Sequence, residues 1–410
     1  MCRARPEQPK RACQPGDDVG VNLAPFKHVL ALPGVRSLML LVLLARIAPT
    51  AAGVTVTLHV VTSLDKGYAA AGAVGFATMV GIGLGSPLMG RLIDRRGLRI
   101  TLTVSALVEG VFWLTAPLLS YHWLLPLAFA NGLFAVPVMS IGRQALTALV
   151  PEPQRRPAFS LDSISVELSF MVGPAAGVLL ATKFSTGLAL VSIGVAIVLA
   201  CVLLYVVNPP LVHEDEVTTQ PAPRWQSWLR GPMIAALIIP FGATMVLSGM
   251  ELASIASLEH AGRQGWLGLI FVVMCAASAF GGLVYGGLRR VPGGVVLLAG
   301  MALLELPVGL GDGNVAVLAL ALIPMNLLCA PTIAASSEQI SKLAPPSARG
   351  MALGVQGSAF TFGVAAGQPL AGLAVDHGGP ALGFVVAGVA GLAVAGVGYL
   401  LSRQRQPVAA

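Results

Sequence analysis

The residues able to do chemistry in this chain are few and widely separated. Arg46, Glu109, Glu167, Glu251 and Glu305 each stand inside a long apolar run, where an ionised group without a partner is costly. A guanidinium–carboxylate pair is one outcome for such groups; proton uptake or cation binding by a lone carboxyl is another. Arg46 lies about ten residues into its run and Glu167 about seven into another. At ~1.5 Å per residue the two reach similar depth and are expected to meet. Such a pair is either a structural clamp or a switch that answers to protons or substrate. Glu251, near the far end of its run, is placed either to hold a cationic substrate or to snorkel to the surface. Glu109 and Glu305 occupy matching places in two other runs, a symmetry that argues for a shared architectural reason.

One further acid, Asp94, has a different setting. From Gly85 to Ile100 the chain reads Gly-Ser-Pro-Leu-Met-Gly-Arg-Leu-Ile-Asp-Arg-Arg-Gly-Leu-Arg-Ile, the one place where arginines crowd around a single acid. Gly90, without a Cβ, lets the helix expected to end there approach a neighbour closely. Asp94 is placed to pair with Arg95 or Arg99, or to sit on the N-terminus of a nearby helix. Gly97 permits a sharp turn into the next apolar run.

The elements that must position these groups follow from composition. Of 410 residues, 56% are hydrophobic and only 10% charged, more apolar surface than one water-soluble core can hide. Twelve apolar segments can be drawn: 37–62, 69–90, 100–119, 123–146, 160–182, 186–207, 232–257, 266–287, 294–310, 315–337, 350–375 and 380–402. Each is long enough to cross a hydrocarbon layer of ~30 Å, with 294–310 at the short limit. The net charge of +7 does not imply nucleic acid, because the bases sit in short loops rather than on one face with interleaved aromatics. Cys201, Cys275 and Cys329 read as packing residues, Cys2 and Cys13 lie in a polar tail, and no pair has metal-ligand spacing. The N-terminal stretch is polar for about 27 residues and lacks the apolar core, preceded by charge, that a cleaved signal carries, so none is expected.

Twenty lysines and arginines fall on one side of the twelve runs, in the tails and alternate loops, against Lys66, Lys183 and Arg263 on the other. That asymmetry puts both termini in the cytoplasm. The expected domains are a disordered tail over 1–36, a six-helix bundle over 37–207, a cytoplasmic linker over 208–231, a second bundle over 232–402, and a tail over 403–410. The halves repeat in sequence. Pro137, Leu149, Pro151 and Arg155 recur as Pro331, Leu343, Pro345 and Arg349, 194 residues on, and Gly90 and Glu109 match Gly286 and Glu305 at an offset of 196. Two halves so related can rock about a site near the midplane.

The spacing Gly90-x-Leu92-x-Asp94-Arg95-x-Gly97-x-Arg99, between the second and third runs, resembles motif A of the major facilitator superfamily. The resemblance spans about residues 30 to 403. It implies an all-α integral membrane fold with 12 transmembrane helices in two bundles, working by alternating access, with the motif A loop stabilising one closed arrangement. Gly173-Pro174-Ala-Ala-Gly177 in the fifth run resembles the Gly-Pro signature of the family's exporters, with Val178 where the fuller version has glycine. There Pro174 would bend the helix into a hinge or a seal between the halves. A third feature is missing: the arginine that family drug exporters carry near the start of the fourth helix, linked to proton coupling, is Ala128 here. The resemblance also implies which helices line the cavity, and it makes Arg46, Glu167, Glu251, Asn131, Gln144 and Asn326 the candidates for coupling or substrate contact.

No phosphate-binding glycine loop, His-Glu-x-x-His or Gly-x-Ser-x-Gly is present, so neither ATP use nor intramembrane hydrolysis is expected. The expectation is a monomeric, multi-pass exporter of small hydrophobic or amphipathic molecules in the cell membrane. Its partners are lipid and a small-molecule substrate, with no nucleic acid, no metal and no cofactor beyond a proton gradient. An importer of the same fold and a non-transporting sensor or assembly subunit are the rival readings.

Overall fold

A computed structural model describes residues 24–66, 68–211, 225–263, 266–288 and 291–402. Cys2, Cys13, the tail before residue 24, the tail from residue 403, linker residues 212–224 and the Arg289-Arg290 pair lie outside the described residues. Among the described residues there are helices and turns but no strand. In chain order they are α1 (Ala24–Ala31), α2 (Val35–Leu58), α3 (Tyr68–Arg96), α4 (Leu98–Thr115), α5 (Tyr121–Leu133), α6 (Val138–Leu149), α7 (Arg155–Lys183) and α8 (Thr186–Val207). The second half follows with α9 (Trp225–Trp228), α10 (Gly231–His260), α11 (Leu267–Gly287), α12 (Gly294–Glu305), α13 (Val315–Asn326), α14 (Cys329–Leu343), α15 (Arg349–Gly378) and α16 (Pro380–Ser402).

They form twelve candidate membrane spans, and each of the twelve predicted segments falls on one of them. Several spans are longer than their apolar runs because polar turns at their ends are also helical. The second span does not end at Gly90 but continues through Asp94 to Arg96, so Asp94 sits on the last helical turn. Gly97, at φ +82°, then makes the predicted turn. The fifth helix begins at Arg155, five residues before its apolar run. The predicted disordered tail is also too long. Residues 24–31 form α1, with Phe26 and Val29 buried, and the first span starts at Val35.

Two spans are each built of two helices, α5 with α6 and α13 with α14. Pro137 caps α6 at the first break, leaving the Val136 amide without a helical acceptor. Glu109 of α4 accepts that hydrogen at 2.7 Å. One hydrophobic core is drawn wholly from residues between Val29 and Leu204, and the largest core of the second half from residues between Ile239 and Ala395. The two bundles meet where α3 packs on α15 and where α7 packs on α11 and α14. With twelve candidate spans, the start of the first at Val35 and the end of the last at Ser402 lie on one face, the terminus-bearing face.

Candidate functional site

The seam between the bundles gathers most of the chain's intramembrane polar chemistry. On α3, Gly90 approaches the Gly350 carbonyl so closely that a Cβ would have no room. One turn on, Asp94 Oδ1 accepts from the Gly350 amide at 2.9 Å and Oδ2 from the Met351 amide at 2.7 Å. These are free N–H groups of the first turn of α15, so the carboxylate satisfies orphan donors and faces the positive end of the helix dipole. Of the two placements open to Asp94, the structure takes the helix N-terminus. Arg95 and Arg99 point away and are exposed, Arg99 lying over the Tyr205 ring at 5.2 Å. Gln144 adds a long contact to Asp94 at 3.5 Å.

Along the same face the halves are stitched by Ser140 to the Leu353 carbonyl (3.0 Å), Ser358 to the Gly83 carbonyl (2.6 Å) and Thr147 to Ser341 (3.3 Å). Arg156 of α7 donates to the Leu288 carbonyl at 3.2 Å and to Glu338 at 3.4 Å. Glu167, near mid-depth, accepts from Ser278 at 2.7 Å and from the Cys329 thiol at 3.8 Å, both in the other half. Among the described residues no side-chain hydrogen bond joins the halves nearer the opposite face. The protein is therefore closed on its terminus-bearing face.

A sequence model of the Major Facilitator Superfamily matches residues 38–304. The chain belongs to the Major Facilitator Superfamily. It is a membrane transporter by family and not an enzyme. Solved structures with the same fold include the human organic anion transporter MFSD10 (TETRAN), at 16% identity and a TM-score of 0.69 over 89% of this chain and 100% of that one. A bacterial homologue of the iron transporter ferroportin, in an outward-facing state, aligns at 16% identity and 0.72 over 90% and 99%. The proton:xylose symporter XylE aligns at 13% identity and 0.70 over 90% and 96%. A search of curated proteins by sequence finds no match.

Within this superfamily fold the predicted pairing of Arg46 with Glu167 is not made. Arg46 Nη2 binds Asp162 Oδ1 at 2.6 Å, and Arg143 Nε takes Oδ2 of the same carboxylate at 3.2 Å. Asp162 lies on the stripe Asp162, Ser165, Ser169, Gly173, Gly177, whose spacing of three and four residues aims one face of α7 at α2. Glu167 is off that stripe and faces the other half. Sequence reading missed Asp162 because depth does not decide the partner: from the helix starts at Val35 and Arg155, Arg46 is eleven residues in, Glu167 twelve and Asp162 seven, and it is the face of α7 each acid lies on that selects Asp162. The small-residue stripe was the available signal. It also relocates the Gly-Pro motif. Gly173 and Gly177 pack on Thr50 and Thr55 of α2, so the motif joins two helices of one half rather than sealing the halves together.

Glu251 is half-buried and within Coulombic range of Glu167, with no hydrogen bond among the described residues. Asn326 donates to the Leu322 carbonyl of its own helix at 2.9 Å and to the Met250 sulfur at 3.6 Å, which ties it to packing. Asn131 is buried, and among the described residues its Oδ1 has no partner; the same holds for Gln144 and its Oε1. Glu109 and Glu305 are both buried within their bundles rather than lipid-facing. Their symmetry ends there, since neither oxygen of Glu305 finds a partner among the described residues.

Proposed function

We propose that this transporter exports small hydrophobic or amphipathic molecules from the cytoplasm across the cell membrane, as a monomer, by alternating access. The observation that carries the reading is the seam closed by Asp94 on the first turn of α15, at the face richest in arginine, between two separately cored bundles. Arginine and lysine bias makes that face cytoplasmic, and the Gly-Pro motif of α7 favours efflux. Glu167 supports a proton gradient as the energy source: its carboxyl bonds only to groups of the other half, so rocking exposes it and closure covers it again. Ala128, in place of the exporters' arginine, counts against proton-coupled antiport, and Glu167 is the carboxyl on which such coupling is tested. The similar solved structures are an organic anion transporter, a homologue of an iron transporter and a proton:xylose symporter, so their likeness favours no substrate.

Uptake of a panel of lipophilic dyes into inside-out and right-side-out vesicles tests the reading. Accumulation in inside-out vesicles alone, driven by an imposed acid interior and abolished in its pH dependence by Glu167→Gln, is expected. Accumulation only in right-side-out vesicles would make the protein an importer.

A further inference from the structure

Asp162 is shared between two arginines, which leaves the cluster one positive charge in surplus. Its carboxylate is fully used, with one oxygen on Arg46 and the other on Arg143, and the three side chains are no more than 5% exposed. Arg46 spends its remaining fork on the Ser165 hydroxyl at 3.3 Å and the Asp162 carbonyl at 3.5 Å, and its Nε has no partner among the described residues. Arg143 gives only Nε to Asp162; among the described residues neither of its terminal nitrogens reaches an acceptor. A buried charge left uncompensated in this way is costly and calls for an anion. The guanidinium borders the seam, because it lies 5.1 Å over the ring of Phe360, on α15 of the other half. One turn to either side, Ser140 and Thr147 bond across to Leu353 and Ser341, so Arg143 sits inside the closed contact.

We infer that Arg143 is the docking point for the oxyanion head of a monoanionic amphipathic substrate, and that Phe360 covers this site whenever the terminus-bearing face is closed. When the bundles rock apart, Phe360 leaves with its half and the two free terminal nitrogens of the fork face the opening. A carboxylate or sulfonate there accepts two parallel hydrogen bonds and neutralises the surplus charge. One surplus charge matches a monoanion and not a dianion. On closure the ring returns to the guanidinium and displaces the head group. This inference deepens the proposed function by naming the substrate class, and it rests on that reading for the direction of loading.

Three dansyl probes of one size test it in proteoliposomes of known orientation: dansylglycine (anionic), dansylglycinamide (neutral) and dansyl-ethylenediamine (cationic). From the terminus-bearing face dansylglycine should be the one bound and carried. Arg143→Gln should lower that binding at least tenfold while holding or raising thermal stability, because it leaves a balanced Arg46–Asp162 pair. Arg143→Lys should retain an intermediate affinity, and Phe360→Leu should tighten binding several-fold. If Arg143→Gln does not fold, the Lys and Phe360 variants decide. Dansylglycine binding that is absent, or unchanged in the Arg143 and Phe360 variants, overturns the inference. Outward transport of the neutral or cationic probe independent of Arg143 would remove the anion site and leave the exporter standing. Arg143-dependent dansylglycine movement in the opposite direction would keep the site and refute export.

Discussion

Where α3 meets α15, a carboxylate enters a helix N-terminus; where α11 meets α7, the corresponding place in the repeat, a guanidinium reaches a helix C-terminal carbonyl. The glycines that allow each approach, Gly90 and Gly286, correspond in sequence, yet they are used differently. Gly90 faces backbone, the Gly350 carbonyl, whereas Gly286 faces the Phe26 ring of α1 and the Ser160 hydroxyl. The first contact is backbone on backbone with two charge-assisted hydrogen bonds. The second is filled by side chains and finished by Arg156 and Glu338, at 27% and 12% exposure. Hydrogen bonds to a charged group contribute about 1.5–3 kcal/mol each, and a helix terminus adds about 0.3–1 kcal/mol. A partly exposed ion pair contributes about 0–1 kcal/mol. One crossing is therefore a firm catch and the other a loose clasp. The closed state depends mainly on the first.

That ranking can be broken by mutation, with labelling of a cysteine placed at Thr147, inside the seam, as the common readout. Asp94→Ala should have the largest effect, costing the closed state about 3 kcal/mol and raising labelling from the terminus-bearing side about a hundredfold. Gly90→Ala should come next, since its Cβ meets backbone that cannot step aside, an overpacking cost of about 1–3 kcal/mol. Arg156→Ala should raise labelling no more than about fivefold, in keeping with a cost of up to about 1 kcal/mol. If Arg156→Ala opens the seam as far as Asp94→Ala does, the two crossings are equal and the comparison fails.

The spans were legible because hydropathy and length decide them, and the Asp94–α15 contact was among the placements open to motif A. Partner choice was not legible. Arg46 takes Asp162 rather than Glu167 because rotation of α7 is set by which face carries Ser165, Ser169, Gly173 and Gly177, and that packing is tertiary. Helix ends were lost for a related reason: Arg155, Arg156 and Asp94 are helical but polar, so an apolar window stops short of them. The different fates of Glu109 and Glu305 were equally hidden, since only the break before Pro137 leaves an amide for a carboxylate to take.

The central claim is that two rigid bundles rock about a seam latched by Asp94. Spin labels at exposed Arg96 and Leu288 report one face, and labels at exposed Lys66 and Arg263 report the other; pulsed dipolar distances are compared between the parent protein and Asp94→Asn. The account predicts that Asp94→Asn lengthens the Arg96–Leu288 distance and shortens the Lys66–Arg263 distance in the same molecules. Distances that stay fixed, or that lengthen together on both faces, would contradict it.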